Sequence, residues 1–177
     1  MNKKILILSS SPRKNGNSDL LCDQFAKGAL EAGHTVEKIR IAEKKIAYCT
    51  GCYVCQSGTC PQKDDTAEIL KKMQEADVIV LATPVYFYTV CAQLKALFDR
   101  TVAIYPHLTD KHFYYIMTMA DTNQEMFKGT LAALRGFLDC YEGSVESGMI
   151  CALGVYQKGE VLETQAWEDA YQMGLKV

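Results

Sequence analysis

The alternation of short apolar runs with longer segments of helical period constrains this chain more than any other feature. "KKILILSS" reads as a strand buried on both faces. Asn17 to Ala32 reads as a helix, with Leu21, Phe25 and Gly28 turned inward and Gly33 as its stop. "HTVEKIRI" alternates like a strand near a sheet edge. "DDTAEILKKMQEA" follows as a helix, with Asp65 as its N-cap and Glu68 completing a capping box. "DVIVLAT" is another buried strand, and Thr89 to Arg100 a helix with Cys91, Leu94, Leu97 and Phe98 on one side. "HFYYIMTMA" (strand), Gln124 to Cys140 (helix), "ESGMICALGVY" (strand) and "TQAWEDAYQMGLKV" (helix) complete the pattern.

A strand-helix repeat of this kind is an α/β protein with a parallel sheet covered on both faces, because parallel neighbours need crossover connections and these are right-handed. Five strands suit the order 2-1-3-4-5, which places the topological switch between the first and third strands and gathers ligands in the loops after them. With 177 residues, 49% of them apolar, and no repeat or linker, one domain over 1–177 is expected. The net charge of −2 and the scattered lysines and arginines leave no footprint for nucleic acid or an anionic membrane surface. The run Ile5 to Leu8 is too short for a signal-peptide core, and no window reaches the roughly 18 apolar residues of a spanning helix. A soluble, cytoplasmic protein is expected.

The loop "SSSPRKNGNS", Ser9 to Ser18, brings hydroxyls, amides, one arginine and a glycine to a helix N-terminus. Free N–H groups there favour an anion, and the glycine permits an unusual backbone angle. The lysine-hydroxyl pair of a Walker A loop is missing, as is GxGxxG, so a nucleoside triphosphate is disfavoured. The competing reading is a polar turn in which Asn17 or Ser18 merely caps the helix. "TPVYFYTV", Thr83 to Val90, puts Tyr86, Phe87 and Tyr88 at a strand's carboxyl end, where they can wall a planar ligand or pack against a neighbouring subunit. A phosphate cup beside an aromatic wall suits flavin mononucleotide (FMN).

These two stretches, extended to "PVYFYTVCAQLKALFDR", resemble the NADPH-dependent FMN reductase family of flavodoxin-like proteins. With "CTGCYVCQSGTC" between them, the chain most resembles that family's iron–sulfur flavoprotein branch. The resemblance implies a flavodoxin-like three-layer sandwich. It implies that Ser9, Ser11, Arg13, Asn17 and Ser18 hold the FMN phosphate, and that Pro84, Val85, Tyr86 and Phe87 line the isoalloxazine with Thr89 close by. The family's third flavin loop corresponds to "MADTNQE", which lacks the glycine often found there and offers Ala120 or Asp121.

Within a Cys-rich loop at 46–63, Cys49, Cys52, Cys55 and Cys60 have the spacing Cys-x2-Cys-x2-Cys-x4-Cys. Two-residue gaps let successive thiolates converge on one centre, Gly51 and Gly58 loosen the backbone, and Pro61 follows the last cysteine as in ferredoxins. A [4Fe–4S] cluster, zinc, and free or redox-active thiols are the three readings of this loop. Cys22, Cys91, Cys140 and Cys151 fall on apolar faces and read as core.

His34, His107 and His112 are isolated, and no serine-histidine-carboxylate arrangement suggests a hydrolase. Flavin chemistry needs no side-chain acid or base, only binding, orientation and tuning. The resemblance implies NAD(P)H as hydride donor and a flavin or quinone-type reductase activity. A cluster would add electron exchange between FMN, the iron–sulfur centre and a ferredoxin-like protein or small oxidant. A homo-oligomer, dimer or tetramer, is expected, with the aromatic stretch Ile104 to Tyr115 as contact surface. The alternative is a flavodoxin-like electron carrier or metal-binding module without turnover of its own.

Overall fold

Ile5, Leu6, Ile7 and Leu8 are each at most 2% exposed, so the first strand is sealed on both faces and sits inside a sheet. The computed structural model describes residues 2–177. Strand β1 (Lys4–Ser9) lies between β2 (Thr35–Arg40) and β3 (Val78–Tyr86), and β5 (His112–Thr118) and β6 (Val145–Ala152) follow outward, every one of these pairs parallel. The helices are α1 (Asn17–Glu31), α2 (Thr66–Glu75), α3 (Ala92–Arg100), α4 (Lys128–Leu138) and α5 (Gln165–Leu175).

The period of two along the strands divides the core. Ile5, Ile7, Val78 and Val80 face the layer of α1 and α5, while Leu6, Leu8, Ile79 and Leu81 face α2, α3 and α4. The first layer is drawn in unusually close. A Cβ on Gly28 would lie 2.2 Å from the carbonyl oxygen of Tyr171, and one on Gly174 would lie 2.1 Å from that of Phe25. Helices α1 and α5 therefore touch backbone to backbone at a reciprocal pair of glycines. Among the described residues, no helix is long and apolar enough to cross a membrane.

The five long strands take the expected order, and it reads β2-β1-β3-β5-β6 because a sixth, two-residue strand intervenes. Strand β4 (Thr89–Val90) turns back on the end of β3, pairing Val85 with Val90 and Tyr86 with Thr89. The helix expected from Thr89 consequently begins at Ala92, with Cys91 as its N-cap. The helix expected over Gln124 to Cys140 opens as a 3-10 turn, Gln124–Phe127, before α4 starts.

Three further expectations are corrected. Asp65 makes no side-chain cap, and Asp64 instead accepts the Thr66 N–H at 3.0 Å while Asp65 accepts that of Lys45. Cys140 is exposed beyond the end of α4 and Cys151 is half-buried, leaving only Cys22 and Cys91 of that group in the core. In the first loop the unusual backbone angle falls on Asn15 (φ 55), whereas Gly16 has φ −74. Asparagine tolerates the left-handed region, and Gly16 is needed for room, since a Cβ there would lie 3.0 to 3.2 Å from Arg13 and Ser11 atoms.

Candidate functional site

The carboxyl ends of β1 and β3 are stitched together before either loop begins. The hydroxyl and N–H of Ser10 both donate to the Ala82 carbonyl, at 2.7 and 3.0 Å. The Cys91 thiol contacts the Ser10 hydroxyl at 3.0 Å, and its N–H donates to the Thr83 hydroxyl oxygen at 3.1 Å. Cys91, fully buried, therefore works as a small polar rivet under the switch point, where ligands of open α/β sheets collect.

Above it two clefts meet. The first, about 170 Å³, is lined by Ser11, Arg13, Asn17 and Ser18 from the first loop and by Pro84, Val85 and Tyr86 from the end of β3. The second, about 350 Å³, is lined by Phe87, Tyr88 and Asp121 and shares Val85, Met119 and Ala120 with the first. Of the eleven expected cofactor-binding residues, two line neither cleft. Ser9 turns its hydroxyl to Asp19 at 2.8 Å, and Thr89 sits in the short return strand.

The first cleft has an anion's requirements at one end. Ser18 is 1% exposed and its hydroxyl has no partner among the described residues, at the start of a fifteen-residue helix whose first N–H groups lack partners within the helix. The buried Asp19 carboxylate braces the loop from below: it accepts the Asn15 N–H at 3.0 Å and the Lys38 ammonium at 3.2 Å. Burial alone would push Asp19 up, but the Ser9 hydroxyl, the Asn15 N–H and Lys38 outweigh it and hold the carboxyl below its ordinary range. Asp19 is thus a charged brace already matched by Lys38.

The second cleft is walled by a strained hairpin. Phe87 (φ 49) and Tyr88 (φ 61) both lie in the left-handed region, as a two-residue turn with the right twist demands, yet such turns favour Asn-Gly. Phe87 is 101% exposed, so no core packing explains the strain. Gly129 of α4 lets the turn approach, since a Cβ there would meet the Tyr88 carbonyl oxygen at 2.3 Å. Strain kept in an exposed aromatic turn beside a cleft points to a site.

The cysteine loop is anchored at both ends by one ion pair. Arg100, its side chain 2% exposed, donates to Asp64 at 2.7 Å, to the Ala47 carbonyl at 2.8 Å and to the Cys60 sulfur at 3.4 Å. Asp64 in turn accepts the Ala47 N–H at 2.9 Å. Despite burial, the Arg100 guanidinium and these N–H donors hold the Asp64 carboxyl well below the usual range. Cys49 and Cys52 are exposed, and Cys55 and Cys60 are half-buried. Hydrogen bonding from the Val54 backbone, then from the Thr50 hydroxyl, lowers the Cys52 thiol. Four thiols in one loop are the right donor chemistry for iron–sulfur or zinc, but among the described residues no three His, Cys, Asp or Glu side chains converge on one point.

Val155 and Tyr156, from the loop after β6, also line the first cleft and were not expected there. Strand β6 lies at the far edge of the sheet, so order alone does not bring its loop to β1. The available signal was the length of the connection, with Gly154 and Gly159 inside it, against the two to six residues usual in such units. The histidines stand apart: His34 and His112 precede or begin strands at the opposite, amino edge.

Fold and site together define an open, doubly wound α/β protein of flavodoxin-like class, with an anion cleft opening into a wider aromatic one. Residues 3–141 match the NADPH-dependent FMN reductase family, and the chain belongs to it. It is 48% identical over 99 residues to an iron–sulfur flavoprotein of Methanocaldococcus jannaschii, covering 55% of this chain and 51% of that one. An iron–sulfur flavoprotein of Archaeoglobus fulgidus is 43% identical over 98 residues, covering 55% and 44%. The chain therefore spans about half the length of these curated relatives. Its fold is shared with an NAD(P)H:quinone oxidoreductase from Methanothermobacter marburgensis, with TM-score 0.81 and 16% identity over 99% of this chain and 97% of that one.

Proposed function

We propose that the protein is an FMN-dependent oxidoreductase that takes reducing equivalents from NAD(P)H and delivers them to a small acceptor of the quinone type. The observation that carries this reading is the pair of joined clefts at the switch point, one with a buried, partnerless Ser18 hydroxyl at a helix N-terminus and the other walled by the strained Phe87-Tyr88 turn. Ser11, Arg13 and Ser18 would hold the phosphate, and Val85, Tyr86, Phe87 and Asp121 would flank the ring. FMN, when bound, supplies the hydride and single-electron chemistry. The chain's part is to orient it: the Ser10–Cys91–Thr83 bonds keep both loops in register, and the wider cleft leaves room for a second flat ring. The only histidines stand off the clefts, which suits a reaction that needs no side-chain acid or base.

Cys49, Cys52, Cys55 and Cys60 would ligate a [4Fe–4S] cluster, supported by their spacing and by the family branch of the relatives. A ferredoxin-like partner belongs to the same reading. The stretch Ile104 to Tyr115 is not the contact surface expected of it, because Leu108, Phe113 and Tyr115 are core; exposed Phe87, Tyr88 and Tyr105 instead support self-association as a homodimer or homotetramer. The test is anaerobic purification followed by FMN titration, iron and acid-labile sulfide assay, and NAD(P)H oxidation with a quinone. Bound FMN with turnover supports the reductase, bound FMN reducible only through another protein would make it a carrier, and absence of FMN binding would sink the reading.

A further inference from the structure

The loop at 153–164 ties the cofactor loops to each other. The N–H groups of Gly154 and Val155 donate to the carbonyls of Asp121 and Met119, at 3.0 and 2.9 Å, fixing one side to the wider cleft. On the other side Asn17 donates to the Gln157 carbonyl at 2.8 Å and accepts the N–H groups of Gly159 and Val161 at 3.0 and 3.4 Å. The side-chain oxygen of Asn17 has thus spent both lone pairs on the loop, and one of its two amide N–H groups as well, so three of its four hydrogen-bonding positions hold the loop. Between these ties, Glu160 accepts the N–H groups of Tyr156 and Gln157 at 2.6 and 2.8 Å and curls the chain so that Tyr156 meets Arg13.

Arg13 donates to the Tyr156 carbonyl at 2.8 Å, and its guanidinium carbon lies 5.5 Å from the centre of the Tyr156 ring. Both residues line the anion cleft. A guanidinium has five N–H donors, so one bond to a carbonyl leaves four for a ligand. An exposed arginine otherwise loses rotamer freedom when it grips an anion, and ordering it beforehand removes that loss from binding.

We propose that Tyr156 is a positioning residue that presets Arg13 for the phosphate of the flavin, and that Asn17 is the anchor of its loop. This rests on the FMN reading above. It predicts a specific kind of loss, confined to the phosphate and dependent on Arg13.

The test is flavin fluorescence titration with FMN and with riboflavin, which lacks the phosphate, for wild type, Y156A, Y156F, N17A, R13A and the double variants R13A/Y156A and N17A/Y156A. Tyr156 is 60% exposed, so Y156A should fold. Y156A is expected to weaken FMN binding about two- to fivefold through lost cation–π contact, leave riboflavin unchanged, and be rescued by Y156F. In the R13A background, Y156A should add nothing. N17A should weaken FMN binding, and adding Y156A to N17A should cost nothing further, because the freed loop no longer brings the Tyr156 ring to Arg13; additive losses would overturn the role of Asn17 as anchor. Equal losses for FMN and riboflavin, no loss in Y156A, or additive effects of R13A and Y156A would overturn the proposal while leaving the FMN reading intact. A wild-type protein that binds neither flavin would overturn both.

Discussion

Replacing Phe87 and Tyr88 together by Asn and Gly should make the protein more stable and a poorer flavin binder. Both residues hold left-handed backbone angles, φ 49 and 61, in a two-residue turn for which Asn-Gly is the favoured pair. The left-handed conformation costs an L-residue about 1–2 kcal/mol, so relief at two positions is about 2–4 kcal/mol. Glycine gives back about 1 kcal/mol through the freer unfolded chain. Little apolar burial is lost, because Phe87 is 101% exposed and Tyr88 58%. The net is a gain of about 2 kcal/mol, or a rise in Tm of about 4–8 °C for a chain of this size. The same change strips two rings from the wider cleft and should weaken FMN about tenfold, at the scale of aromatic contacts. Calorimetry of the metal-free protein and flavin titration on the same sample check both signs. A fall in Tm would show that the aromatic turn is held by packing rather than strained, and undiminished FMN affinity would remove the functional reason for it.

Gly28→Ala should destabilise although alanine is the better helix former by about 1 kcal/mol, because its Cβ would fall 2.2 Å from a helix carbonyl oxygen; a raised Tm on thermal denaturation would refute the close helix contact. Ser18→Ala should leave Tm level or higher, since the hydroxyl is buried without a partner, yet reduce the preference for FMN over riboflavin about tenfold or more in paired titrations. Asp64→Asn should cost about 3 kcal/mol by leaving Arg100 buried without a counter-charge, read as a loss of about 6–12 °C in Tm. Because the folded Asp64 carboxyl is depressed, its contribution is complete above the unfolded value near about 4 and is lost as pH falls from there toward the folded value. The variant's Tm should therefore fall less steeply than wild type below about pH 4.

The sheet was legible because its strands answer to burial alone. Ile5 to Leu8 and Val78 to Ala82 are apolar without interruption, which only an interior parallel strand requires. The two loops that line the clefts were legible because strand order puts their starting points side by side. The hairpin was hidden because its turn residues are aromatic, and the glycine or asparagine that normally announces such a turn is absent. Asp64 and Asp65 are adjacent acids, and the choice of helix cap depended on Arg100, thirty-six positions from Asp64. Cys140 follows the apolar period of α4 but lies just past its end, where the face no longer meets the core. The place of Tyr156 in the cleft was unreadable because its loop is held there by three bonds from Gln157, Gly159 and Val161 to Asn17, at least 140 positions away.

The Asp64–Arg100 pair gives the cysteine segment a separable character. Ala47 is held through both its N–H and its carbonyl, and Asp64 fixes the start of α2. The fold therefore holds the segment mainly where it leaves and returns, with Arg100 reaching Cys60 and Gln62 just before the return. Between those points, doubling the length of a flexible loop adds only about 0.6 kcal/mol of closure entropy. The stretch before Cys60 can be lengthened or refitted with other side chains at little cost to the flavin body, whereas Cys60 itself stays tied to Arg100. Whatever ligand chemistry that stretch carries can change by evolution with little renegotiation of the core.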